Sequence, residues 1–261
     1  MIVPTLKATD YIYPLREGGS LPAVFRAEDD QLYVMKFHGA GQGPKALIAD
    51  WLGGEIARLL GLQVPHQLFL ELDPVIGRNE GDPEIQDLLH ASAGVNLGMA
   101  FIPEAVAYTP LSKHQPDPLT ASLIVWLDAF IRNIDRTVRN VNMLIQAEQL
   151  WLIDHGAGLY FHHRRWEDPA IEAQKPFPMV KDHVLLKQAN ELAEADQYAH
   201  EALDEQHLRE LVYALPEVWL SHESSFGDPE AARKAYHDYL MIRLEGSKDF
   251  VREAGDARAQ L

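Results

Sequence analysis

The chain has 261 residues, no cysteine, and 39 acidic against 23 basic side chains, for a formal net charge of −16. Without cysteine there is no disulfide framework, thiolate metal site, iron–sulfur cluster or cysteine nucleophile. The acidic excess disfavours nucleic acid as the main partner, because phosphate backbones are bound on basic faces, but it leaves room for one basic cleft.

The length fits one large domain or two modest ones, and the 47% apolar share is that of a globular chain with a real core. The N-terminal MIVPTLKATDYIYPLREGG lacks the basic and apolar regions of a signal peptide. No apolar run reaches the roughly 18 to 20 residues of a membrane span. A soluble, cytoplasmic protein is the expectation.

In chain order, YIYPL, AVFRA and LYVMKF alternate apolar residues between Gly- and Asp-rich turns, which predicts a β-hairpin or meander over 11–37. A glycine-rich loop, HGAGQGP, follows. KALIADWLGGEIARLLGL carries Leu47, Ile48, Trp51, Leu52, Ile56, Leu59 and Leu60 at helical spacing, and Gly61 is a good stop. QVPHQLFLELD reads as a strand, the acidic stretch near 77–95 as a loop with a short helix, and NLGMAFIPEA as a strand entering a turn.

Beyond residue 117 the character changes. DPLTASLIVWLDAFIRN is a helix with an Asp-Pro start, and VNMLIQAEQLWLIDHGAG reads as two short strands joined by QAEQ. From about 183 the signals are helical, with Asp228 and Pro229 opening the last helix and GDARAQL a frayed end. The fold class predicted is α+β: a β-rich N-lobe over 1–104 and a larger α-helical C-lobe over 105–261.

Five polar residues punctuate this layout. Lys36 ends a strand and Glu55 lies on the first helix. Asp135 precedes Asn140 by five positions, and Asp154 ends an apolar strand before His155-Gly156. Phosphoryl transfer of the kinase type uses such parts in such an order. A strand lysine neutralises phosphates and is held by a helix acid, and a loop aspartate takes the acceptor hydroxyl. An asparagine and a strand-end acid supply the hard oxygens that magnesium prefers. Each has an ordinary reading too. A strand-end lysine is most often solvated, a helix glutamate is usually on the surface, and Asp and Asn favour turns and caps through local hydrogen bonds. The joint order and spacing favour function.

NIDRTVRNVNMLI followed by LWLIDHGAGLYFHH resembles the HipA-like kinase domain and, more distantly, the catalytic loop of phosphatidylinositol kinases. The resemblance covers about 14–165 and implies a bilobal protein-kinase-like fold and an ATP- and Mg²⁺-dependent phosphotransferase. It assigns Asp135 as the catalytic acid/base, Asn140 and Asp154 as metal ligands, and Lys36 as a nucleotide phosphate contact with Glu55 as its partner. Gly18, Gly19 and Ser20 fall where a phosphate-covering loop lies, and Met99 to Glu104, with Met99 and Phe101 among them, where the interlobe hinge meets adenine. Two positions depart from the pattern: Thr137 stands where these loops often carry histidine, and His155 replaces the phenylalanine of Asp-Phe-Gly. Both put substrate and rate in question rather than nucleotide binding.

Other motifs are decoys. GAGQGPKA is not a Walker loop, because Pro44 precedes Lys45 and Ala46 follows where Ser or Thr is needed. DHGAG has no Gly-x-Ser-x-Gly elbow to serve as an oxyanion partner. The adjacent histidines of FHHRRW point to opposite faces of a strand and read as a polar loop. A protein Ser/Thr hydroxyl is the leading acceptor, with a small-molecule or lipid hydroxyl, a nucleotide-binding pseudokinase and a toxin–antitoxin component as alternatives.

Overall fold

The computed structural model describes residues 3–15, 21–223 and 225–261. Five strands form a closed barrel: β1 (Thr5–Pro14), β2 (Ala23–Ala27), β3 (Leu32–Lys36), β4 (Gln67–Leu72) and β5 (Gly94–Ala100), in the order β1-β2-β3-β5-β4. The expected meander is therefore the start of something larger. β1 begins at Thr5, and its first residues pair parallel to β4 through Thr5–Phe69 and Leu6–Leu70. Local alternation could not reveal this closure, because the partner lies some sixty residues away.

Strand periodicity explains the placement of the key lysine. Alternate residues of β3 and its exit, Tyr33, Met35 and Phe37, fill the barrel interior with Phe25, Leu68 and Leu70. Lys36 therefore faces the opposite side. There the first helix, α1 (Gly43–Leu59), is buried on every side from Leu47 to Ala57. A helix apolar all round lies inside a protein rather than on it. Trp51 packs on Phe69 of the barrel at 5.1 Å and donates its indole N–H to the Leu211 carbonyl of the helical part at 3.0 Å. Between β4 and β5 lie a 3₁₀ turn (Pro74–Asn79) and α2 (Pro83–Ala91).

The rest is helical around α3 (Pro118–Phe130), in which every residue from Ala121 to Phe130 is buried. A short sheet is laid against it: β6 (Val106–Ala107), β7 (Met143–Gln146) and β8 (Gln149–Leu152). The β7–β8 connection is a two-residue turn, Ala147-Glu148, with both φ positive at 47° and 67°. That is the hairpin geometry matching strand twist, reached here without the usual Asn-Gly. Between β8 and residue 183 lie two 3₁₀ turns (Tyr160–His163 and Pro178–Asp182) and α4 (Pro169–Ala173).

Helical structure resumes at α5 (Leu192–Ala202) rather than near 183, followed by α6 (Glu205–Tyr213), α7 (Glu217–Leu220), α8 (Pro229–Glu245) and α9 (Ser247–Arg258). The C-terminal stretch expected to fray is therefore mostly helix, because Phe250 and Ala254 bury one of its faces. Phe250 meets Trp126 edge-on at 5.5 Å. Asp-Pro pairs open α2, α3, α4 and α8, with the Asp carboxylate accepting an early helix N–H in each.

Arg243 of α8 ties these helices together. It is buried and donates to the carbonyls of Ala129 (2.9 Å), Ala173 (2.8 Å) and Lys175 (2.9 Å). These are carbonyls at the ends of α3 and α4 that no helix turn can satisfy. Arg243→Leu leaves them unpaired. Hydrogen bonds to a charged group contribute about 1.5–3 kcal/mol each, and the losses are not additive, so destabilisation of roughly 3 kcal/mol is expected by urea titration. An unchanged midpoint would refute the role given to this arginine.

Candidate active site

β3 and α1 meet at a buried ion pair. The Lys36 ammonium lies 2.6 Å from Asp50 Oδ2 on α1 and 2.6 Å from Asp154 Oδ1 just past β8. Burial alone would pull the ammonium's pKa down, but the two carboxylates outweigh it and hold it above the usual lysine range. Asp154 is lowered, first by the Lys36 charge. Asp50 is pushed up to about 6, because its burial outweighs the attraction of Lys36 and Asp154 adds repulsion.

The partner of Lys36 is thus Asp50, which corrects the expectation for Glu55. Five residues turn a helix by about 140° beyond one full turn, so the two acids cannot share a face. Glu55 instead accepts from Nη2 and Nε of Arg58, at 2.9 and 3.3 Å. A signal for Asp50 does exist in the sequence: it is an acid embedded between apolar residues in LIADWL. Its second oxygen accepts the backbone N–H of His155 at 2.6 Å. One carboxylate therefore fixes both the strand lysine and the loop that follows Asp154.

That loop is tight. Asp154 has φ +56°, a left-handed conformation uncommon outside glycine and frequent where function holds a strained backbone. A Cβ on Gly156 would lie 2.8 Å from Asp50 Oδ2, and one on Gly53 would lie 2.6 Å from His155 Cβ. Both glycines are needed because α1 lies flush against the loop.

The Asp135 loop follows α3. Asn140 donates its amide to Asp135 Oδ2 at 2.6 Å, Asn133 Oδ1 accepts the Asp135 N–H at 3.1 Å, and Thr137 N–H bonds back to Asp135 O at 2.8 Å. The two loops are joined by Arg136. It is fully buried. It donates to Asp128 Oδ2 of α3 (2.6 Å), to the carbonyls of Asn142 and Ile153, and to His155 Nδ1 (3.1 Å). Burial would raise Asp128, but Arg136 and the His183 bond at 2.9 Å hold its carboxyl well below the usual carboxylate range.

Thr137 pairs backbone-to-backbone with His183. The His183 ring itself lies 2.9 Å from Asp128 Oδ2 through its Nε2. His155 is lowered to about 3 by burial first and then by the Arg136 charge, so it is neutral and accepts from the guanidinium.

β7–β8 pairing brings Asn140 and Asp154 to one end of the hairpin. Met143 faces Leu152, Ile153 N–H bonds to Asn142 O at 3.1 Å, and Asn142 Nδ2 reaches Asp154 O at 3.4 Å. The Asp154 side chain is 44% exposed beyond its lysine contact, and Asn140 is exposed. A carboxylate and an amide oxygen fit a hard, largely hydrated divalent cation. Among the described residues no cluster of three His, Asp or Glu forms an all-protein metal cage.

Met99 lies on β5 between Val34 and Gln67, and Phe101 leaves that strand with its N–H on Leu32 O at 2.9 Å. That donor is committed to the barrel and removed from those an adenine could use. Gly18, Gly19 and Ser20 lie outside the described residues. Lys45, in the first turn of α1 just after the glycine-rich loop, bonds to Glu223 rather than pointing into a phosphate cradle.

A family model described as HipA-like kinase matches residues 10–244. Among solved structures, a Helicobacter pylori proinflammatory kinase, CtkA, aligns with a TM-score of 0.52 at 13% identity, covering 99% of this chain and 100% of that one. That likeness shows the fold. The Golgi casein kinase with Mn/ADP bound gives a TM-score of 0.44 at 13% identity, covering 94% of this chain and 73% of that one. None of the curated proteins compared with the chain matches it.

His155 carries a pH signature. Its folded pKa, near 3, lies below the unfolded value of 6.5, so the unfolded chain binds the extra proton. The stability it contributes is complete above pH 6.5 and is lost as pH falls towards 3. Asp50, raised to about 6, has the opposite sign, losing its contribution as pH rises through that value, but it is present in both proteins compared. The thermal midpoint of the wild type should therefore fall more steeply between pH 6.5 and 3 than that of His155→Phe. Parallel profiles would count against a buried neutral imidazole.

Proposed function

The chain belongs to the HipA-like kinase family, and from that premise we propose that it is an ATP- and magnesium-dependent phosphotransferase acting on a serine or threonine hydroxyl of a protein. The observation that carries this reading is Lys36, held at 2.6 Å by both Asp50 and Asp154, together with the bonded pair Asp135 and Asn140.

In this reading Asp135 takes the proton of the acceptor hydroxyl as the oxygen attacks. Its Oδ2 is occupied by Asn140, which orients the other oxygen for the acceptor. Lys36 is already charged and buried, so it meets nucleotide phosphate without reorganisation. Asp154 and Asn140 would hold a magnesium ion, which would supply screening of the phosphate charge there. Arg136 keeps the two loops in register, so the proton acceptor and the metal acid do not drift apart.

A protein acceptor is supported by the surface beside Asp135, where Ile134 and Val138 stand exposed at 42% and 70% with Arg139 next to them. Branched apolar side chains flanking the base suit a peptide segment better than a sugar-like acceptor. Among the described residues no helix is long and apolar enough to cross a membrane.

Two measurements test the reading. Transfer from labelled ATP to protein in a lysate should fall by roughly 10² to 10⁴ in Asp135→Ala, the usual contribution of a positioned base. Equal transfer by wild type and variant would refute the assignment. Saturating ATP with Mg²⁺ should also stabilise the wild type by about 2.7 kcal/mol at a hundredfold excess over Kd, and Asp154→Asn should lose the Mg²⁺-dependent part. ATP binding and stabilisation without any transfer would favour a nucleotide-binding regulator.

A further inference from the structure

We infer that Lys45 and Glu223 are a positioning pair that sets the depth of α1, and through it the contact of Asp50 with Lys36 and with the His155 amide. The N-terminus of α1 has little to hold it locally. It follows the glycine-rich stretch 39–43, Gly43 has φ +66°, the Gln42 side chain makes no cap bond, and the first turn has no acid. What holds that turn is a lysine from α1 reaching into the helical part of the molecule. Lys45 Nζ lies 3.0 Å from Glu223 Oε2 and also donates to the His162 carbonyl.

The receptacle is assembled without α1. Glu223 accepts from Ser225 N–H (2.9 Å), Trp166 Nε1 (3.4 Å) and Tyr236 O–H (3.5 Å), and the same tyrosine oxygen lies 2.9 Å from His162 Nδ1. The Glu223 side chain is fully buried and Lys45 is 15% exposed. A buried carboxylate stripped of its cation is far more costly than a broken surface pair. Withdrawing Lys45 would leave that carboxylate stranded, so the pair favours one position of the helix start strongly.

That position matters because of what lies downstream. Asp50 follows Lys45 by five residues on the same rigid helix. Ala46 O and Asp50 Oδ2 close on Gly156, and Gly53 closes on His155. A small lift of the helix start would open the 2.6 Å bond from His155 N–H to Asp50 before it disturbed α3 or α8. His162 lies eight residues beyond Asp154, so the same lysine also holds the segment leaving the Asp154 loop.

The kinetic consequence rests on the phosphotransfer reading, whereas the structural consequence does not. Lys45→Met and Glu223→Gln remove the charge pair, and the glutamine still accepts from Trp166 and Tyr236. Lys45→Arg keeps the pair. The experiment is amide hydrogen exchange on the full chain, resolved at His155 and along 46–54, with labelled-ATP transfer measured on the same samples. In Lys45→Met and Glu223→Gln, exchange at His155 and α1 should rise about tenfold while α3 and α8 stay protected. The kcat should fall about tenfold with the acceptor KM unchanged, and Lys45→Arg should restore both.

Wild-type exchange at His155 in both charge-removing variants would overturn the inference, and so would a uniform rise across all helices. Should Lys45→Met fail to fold, Glu223→Gln decides. A wild type that transfers no phosphate would sink the proposed function while the exchange result still judged the pair.

Discussion

Lys36 lies buried between two carboxylates, one on a helix and one on a loop, and the rest of the arrangement follows from keeping it there. An ammonium out of water is tolerable only with charge and hydrogen bonds to match. Asp50 and Asp154 supply both at 2.6 Å. The barrel aims the lysine outward by strand alternation, α1 brings Asp50 down upon it, and the β7–β8 hairpin returns Asp154 from more than a hundred residues away. Three elements from distant parts of the chain are thereby fixed relative to one another by a single charged group.

A second buried charge does the same for the loops. Arg136 binds Asp128 of α3 on one side and the carbonyls of Asn142 and Ile153 on the other. Asp128 also receives His183, so the segment after α4 is drawn onto the same node. Burying a full network of this kind gains little net stability over an apolar core, but a half-satisfied version would be much worse. Its value lies in admitting only one arrangement of the loops that carry Asp135 and Asp154.

The same chemistry explains what the sequence could and could not reveal about these contacts. Lys36, Asp135, Asn140 and Asp154 stand out as candidates because their spacing along strands and loops is local, and each ends or follows an apolar run. Order along the chain points to Glu55 because it cannot say which face of α1 meets the lysine, and the structure puts Asp50 there instead. Asp128 and Arg136 were visible as polar residues in or beside apolar strings, yet their partnership needs α3 and the Asp135 loop folded back on each other. Phe101 shows the reverse case, a residue the sequence offers for adenine whose N–H is already taken by Leu32.

The sequence by itself determined the order of elements, from a β-rich start through one buried helix to a helical end, and the chemical kind of the residues near the candidate centre. Periodicity and spacing are properties of neighbouring residues, so they survive without a structure. Tertiary structure alone decided that the N-terminal strands close into a barrel through a parallel β1–β4 pairing and that Asp50 is the acid on Lys36. It also decided that Lys45, at the start of α1, is committed to Glu223. Each of these joins groups far apart in the chain, and a buried charge reveals its partner only when the chain has been brought together around it.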